Sequence, residues 1–171
     1  MKALWAMAIA GLAAGACLLL ITLLASRDSS QVDDGGNGPG VLEDDRGARR
    51  VTDGPPTPVS EPSRPPTSGP HRAEPVERDR TELSDDQILE ALQLGNIVIA
   101  YEGEAPEGIA EKLGAPFEPE LAAAGQSVIL AARPGIGEPQ ALAWRHRLAL
   151  ESWEDPQLQA FVDAFLGQGP A

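Results

Sequence analysis

The sequence is short of cysteine, aromatic residues and positive charge, and each shortage removes a class of protein. Its single cysteine, Cys17, lies within an apolar run near the N-terminus. The rest of the chain therefore has no thiol, disulfide or cysteine metal ligand, which excludes zinc ribbons and thiol redox chemistry. Three Trp, three Phe and one Tyr among 171 residues, with 16 Pro and 18 Gly, support one small domain of about 90–115 residues. A large multi-domain enzyme is excluded. Lys and Arg total 13 against 26 Asp and Glu, a formal net charge of -13. The charge is about +2 over residues 1–27, -4 over 28–80 and -11 over 81–171, so the C-terminal half repels phosphate backbones. That argues against nucleic acid as a partner.

Enzyme signatures are also missing. There is no glycine-rich phosphate loop, Gly-x-Ser-x-Gly elbow, His-Glu-x-x-His helix or cysteine nucleophile. Ser68 and His71 stand three residues apart in a proline-bound loop without an orienting carboxylate, so no catalytic residue and no cofactor is assigned.

What the chain does have begins with an uncharged, almost uninterrupted apolar stretch from Ala3 to Ser26, bracketed by Lys2 and Arg27. At 1.5 Å per residue it can cross the roughly 30 Å hydrocarbon core. Residues 1–27 are read as an uncleaved transmembrane signal anchor, because the run is longer than a signal-peptide core and Leu23-Leu24-Ala25-Ser26 places leucine where a cleavage site wants a small residue. Leu18-Leu19-Leu20-Ile21 after Cys17 opposes a lipoprotein reading. Gly11 and Gly15 form a weak small-xxx-small pair through which two spans can dimerise. The α-amino group and Lys2 precede the span and Arg27 follows it, with Asp28, Asp33 and Asp34 beyond, and this weak lysine and arginine bias predicts the N-terminus inside and the remainder of the chain outside an inner membrane.

Residues 28–60 read as a disordered tether of Pro, Gly and acidic residues, with only Val41, Leu42 and Val51 as sizeable apolar residues. An extracytoplasmic domain is expected over 61–171, its compact core at about 83–168. Ser84 and Gln87 form a capping box ahead of a helix from Asp85 to Leu94, closed by Gly95. Ile97–Tyr101 and Val128–Ala132 read as buried strands, and residues 141–150 as one half-exposed strand with Leu142, Trp144, His146, Leu148 and Leu150 on one face. Short helices are expected from Pro106 to Leu113 and from Glu118 to Ala124. A last helix starts at Asp155 and Pro156 and carries Leu158, Phe161, Val162 and Phe165 at helical spacing. The order predicts an α+β fold, a small two-layer domain with a three- to four-stranded sheet.

The most specific motif is the stiff heptapeptide Pro65-Pro66-Thr67-Ser68-Gly69-Pro70-His71. With Leu92-x-x-Gly95, Pro134-Gly135, Ala143-Trp144 and Ala160-Phe161-Val162-Asp163-Ala164, it resembles the bacterial family called domain of unknown function 3105, over about residues 58–171. The family pattern is Pro-Pro-Thr-Ser-Gly-x-His followed by His-x-Leu-Glu-His-Gly. Its second block falls on Glu90-Ala91-Leu92-Gln93-Leu94-Gly95, so both helical histidines and the glutamate are replaced here. In the pattern those two histidines are four apart on one face, and with the heptapeptide histidine they can offer three imidazoles to copper or zinc.

In this chain His71 and Glu90 are the remaining candidate metal ligands. A structural role for each is favoured: His71 as the end of a strap across the domain, with Thr67 and Ser68 bonding to backbone, and Glu90 as a solvated helix residue. His146, Trp144 and Trp153 read as packing residues. The leading expectation is a membrane-anchored, non-catalytic extracytoplasmic binding or interaction module that takes a protein partner in the cell envelope. The alternatives are a metal-binding module with a degenerate site and an exported enzyme of unrecognised type.

Overall fold

The structure, a computed structural model, describes residues 38–53, 57 and 59–170. The expected span at residues 3–26 and the Gly11/Gly15 pair lie outside them. No helix among the described residues is long and apolar enough to cross a membrane.

The fold is mixed α+β. Two parallel strands, β3 (Ile97–Tyr101) and β4 (Val128–Ala132), form its centre. Both are continuous runs of Val, Ile, Leu and Ala, as strands covered on two faces must be. β5 (Gln140–Ala143) pairs antiparallel with β3, and β6 (His146–Ala149) with β5. Two-residue strands close the edges: β1 (Val41–Leu42) beside β6 and β2 (Thr81–Glu82) beside β4. The sheet order is β1-β6-β5-β3-β4-β2.

Among the described residues four helices cover the sheet. α1 (Asp85–Leu94) begins at Ser84, whose hydroxyl accepts from the Gln87 N–H while the Gln87 side chain accepts from the Ser84 N–H, the anticipated capping box. α2 (Ile109–Lys112) and α3 (Pro119–Ala123) are single turns. α4 (Pro156–Phe165) starts at Asp155, which accepts from the Gln157 N–H. One core holds Ile97, Ile99, Val128 and Leu130 against α2 and against Leu158, Phe161, Val162 and Phe165 of α4. The opposite core holds Val98, Ala100, Ile129 and Leu142 against Ile88, Leu89 and Leu92 of α1 and Ala122 of α3.

Three expectations are corrected. The sheet has six strands instead of three or four, because β1 and β2 are too short to leave a hydropathy signal. The helices lie on both faces, giving three layers instead of two, as fully buried central strands demand. Residues 141–150 form a hairpin instead of one strand, turning at Trp144 and Arg145, the latter at φ 62. The pairing joins even to odd positions, so Leu142 and Trp144 enter the α1 core while Leu148 and Leu150 enter the α4 core.

The segment read as a tether is corrected as well: residues 38–53 pack on the domain. Gly38 lies against Ala164 and Phe165, where a Cβ would come within 2.6 Å of Ala164 Cβ. β1 hydrogen-bonds to β6, and Arg50 bridges in parallel to His71.

Asn96, 1 % exposed, knits the end of α1 to α3 and β4, donating to the Ala91 and Ala122 carbonyls and accepting from the Ser127 N–H. Beside it Gly125 has φ +72, and an added Cβ would sit 1.9 Å from the Leu94 carbonyl oxygen. Gly125→Ala should cost more than about 2 kcal/mol, since left-handed strain adds to that collision. Phe161→Ala, at a fully buried position, should cost about 3–5 kcal/mol. Chemical denaturation measures both, and a loss below 1 kcal/mol in either would contradict this packing.

Candidate functional site

The heptapeptide crosses the α1 side of the domain, and both of its hydroxyls are held. Thr67 donates its hydroxyl to Glu43, and its carbonyl accepts from the Arg145 N–H at the hairpin turn. Ser68 Oγ donates to the Asp44 carbonyl at 3.0 Å and accepts from the Arg46 N–H at 3.1 Å. Both side chains are buried. Pro65, Pro66, Thr67 and Ser68 line one wall of a cavity of about 250 Å3 whose other walls include Val41, Leu42, Glu43, Arg64 and Arg147. Glu43 organises it, accepting from Arg147 Nε at 3.0 Å, from Arg64 Nη2 at 2.8 Å and from Thr67. Burial alone would push the Glu43 carboxyl up, but the bonds from Arg147 and Thr67 and the charges of Arg147 and Arg64 hold it below its ordinary value.

His71 ends the strap at 1 % exposure. Its Nδ1 lies 2.8 Å from the Gly69 carbonyl oxygen, which can only accept, so Nδ1 carries the proton. Its Nε2 stands 3.3 Å from Glu90 Oε2, within ion-pair distance. The structure thus brings together the two residues named as ligand candidates.

Glu90 is 6 % exposed, which corrects its reading as a solvated helix residue: it projects inward beneath the strap. Arg50 grips its carboxylate as a fork, Nε to Oε2 at 3.0 Å and Nη2 to Oε1 at 2.7 Å. Main-chain bonds from the Val51 N–H to the His71 carbonyl and from the His71 N–H to the Arg49 carbonyl fix the two segments side by side. The Trp144 ring lies 6.3 Å from the imidazole. Glu90 and Leu94, one turn apart, border a small cavity of about 40 Å3 with Val76. Among the described residues no group of three or more His, Cys, Asp or Glu is arranged to hold a metal ion.

Two adjacent carboxylates at the start of α1 fasten the approach to the motif. Asp85 pairs with the buried guanidinium of Arg133 at 2.9 Å and accepts from the Ser60 N–H. Arg133 also donates to the Ser60 hydroxyl at 2.7 Å and to the Pro62 carbonyl at 3.0 Å. Asp86 accepts from the Thr57 hydroxyl and from the N–H groups of Thr57 and Arg72. Burial pushes its carboxyl up, yet those bonds and the Arg72 charge bring it below its ordinary value. Asp79, which accepts from the Leu130 N–H at 2.7 Å, moves the other way, because burial outweighs its hydrogen bonds.

His146 stacks on Phe165 with centroids 4.1 Å apart, and Trp153 meets Tyr101 edge-on. Sequence reading missed Arg50, Arg133, Asp85 and Asp86 as parts of this constellation. The available signal was buried-side placement on α1: positions 85, 86 and 90 share its inner surface with Leu89 and Leu92.

A family model described as protein of unknown function (DUF3105) matches residues 55–171. The chain belongs to that family. No curated protein and no solved structure matches it.

Asp86 is a carboxylate whose folded value lies below its unfolded one, so its contribution is fully present above the ordinary carboxylate value and lost as pH falls through the lower, folded value. Asp86→Asn should therefore cost about 1–3 kcal/mol at pH 7 and less at pH 3, read from denaturation midpoints at both pH values. An equal cost at the two would refute the charge assignment. Arg133→Ala, which strands Asp85 in the interior, should cost about 3–5 kcal/mol, and wild-type stability in that variant would refute the strap's anchoring role.

Proposed function

We propose that this chain is a membrane-anchored, extracytoplasmic binding module without catalytic activity, recognising a partner in the cell envelope. The observation that carries the reading is that the motif lines an open, polar cavity while its own hydroxyls are committed to holding the strap. Such a wall presents a fixed shape and charge pattern to a partner. A nucleophile would instead need a base: Ser68 bonds to the Asp44 carbonyl, and the His71 imidazole bonds to Gly69 and faces Glu90. The apolar run from Ala3 to Ser26 supports the anchor, and the charges around it support export.

Arg64 is an exposed cation on the cavity rim, its side chain 68 % accessible. A photo-cross-linking residue at position 64 should give a discrete adduct in intact cells, whereas one at the exposed Glu107 should not. Equal labelling at both positions, or none at position 64, argues against recognition at this cavity. Reporter fusions after Ser60 test the topology independently: a periplasmic reporter should be active there, and activity of a cytoplasm-only reporter would overturn export.

A further inference from the structure

The sheet ends at β1, and its outer side carries main-chain groups as well as apolar surface. Val41 pairs with Arg147 and Leu42 with His146, and the next residue, Glu43, donates its N–H to the Arg145 carbonyl at 2.7 Å. Hydrogen-bonding directions alternate along an antiparallel strand, so with Glu43 facing β6 the Leu42 N–H and carbonyl face the free edge. Val41, 60 % exposed, and Leu42, 39 % exposed, are two of the three large apolar side chains exposed among the described residues. An edge strand of this kind is a template for pairing with another extended segment.

The same strand walls the 250 Å3 cavity beside the motif, and the charges there run against the rest of the chain. Three guanidiniums, of Arg46, Arg64 and Arg147, line it with only two carboxylates, of Glu43 and Asp44, in a protein of net charge -13. The Arg147 fork already neutralises Glu43, with Nε at 3.0 Å and Nη2 at 3.1 Å, so Arg64 is a second cation on one carboxylate. Among the described residues the exposed Arg46 guanidinium has no ion-pair or hydrogen-bond partner.

We propose that the β1 edge and this cavity form a groove for an extended, acidic peptide segment of a partner protein, which adds a strand to β1 and presents a carboxylate to Arg64, with Arg46 as the second cation. This rests on the reading of the domain as a binding module and names the chemistry of what it binds. Main-chain pairing with Leu42 supplies register, Val41 offers an apolar contact, and the surplus arginine charge selects an acidic side chain. A bilayer fits less well: adjacent strand residues point to opposite faces, so a flat surface cannot cover Val41 and Leu42 together.

The test pans a random dodecapeptide display library against the purified full chain in detergent micelles. Enriched sequences should carry Asp or Glu among β-branched residues, and the synthetic form of one should bind in fluorescence anisotropy. Replacing its acidic residue by the amide, or Arg64→Gln in the chain, should each weaken binding about three- to fivefold, and the two together should cost little more than either alone. N-methylating one alternate set of its amides should abolish binding, while the other set should be tolerated. Val41→Asp should also weaken it, with circular dichroism melting confirming that each variant is folded, and Glu107→Gln should have no effect. No enriched sequence, or enriched sequences indifferent to Arg64→Gln, overturns the groove. Equal loss from both N-methylated sets overturns strand addition. A native dimer that Val41→Asp dissociates, or quenching of a fluorophore at position 41 by spin-labelled lipid, assigns the edge to a second copy or to the bilayer and overturns the peptide as its occupant. If these arms fail while position 64 still cross-links in cells, the module reading stands and this mode of binding falls.

Discussion

A carboxylate placed on the inner surface of a helix must be neutralised, and much of this domain's unusual wrapping follows from that need. Glu90 sits beneath the strap and takes its positive charge from Arg50, forty residues earlier. The same logic repeats one turn and more away, where Asp85 takes Arg133 and Asp86 takes hydrogen bonds from residues 57 and 72. α1 is thus amphipathic in a particular sense. Its apolar stripe packs on the sheet, while its buried acids collect two extended segments that have little apolar surface of their own.

Those segments cross at the heptapeptide. Residues 43–51 run beside it, joined by the Arg50–His71 bridge and by the two hydrogen bonds at Ser68, while Thr57 and Ser60 are fastened to the start of α1. The motif's proline stiffness and its short hydroxyl side chains suit this crossing: prolines limit the entropy lost on ordering, and Thr67 and Ser68 satisfy main-chain and carboxylate groups that would otherwise be buried without partners. The cavity beside the motif and the His71–Glu90 contact beneath it are two consequences of one arrangement.

The sequence made the central elements legible because their signals are local. The Ser84 and Gln87 capping box, Gly95, and the β-branched run at 97–101 each announce themselves within a few residues, and α1, β3 and β4 lie where those signals place them. The hairpin at Trp144 and Arg145 was hidden because strict alternation continued through a turn lacking glycine, asparagine and proline. Residues 38–53 were hidden for a different reason. Hydropathy gives them three apolar residues, whereas their attachment comes from Arg50 on Glu90 and Glu43 on Arg147, pairs separated by 40 and 104 positions. At the site, His71 and Glu90 were singled out by motif and spacing, but their contact, and the arginine that completes it, exist only in the folded chain.

The most direct measurement of this account is hydrogen exchange at the Val51 and Arg46 amides in a Glu90→Gln variant. If the charge on Glu90 holds the preceding segment against the motif, both amides should exchange markedly faster than in the native chain while the Leu89 and Leu92 amides of α1 stay protected. Unchanged protection at Val51 and Arg46 would contradict it, showing that the segment is held without the buried carboxylate.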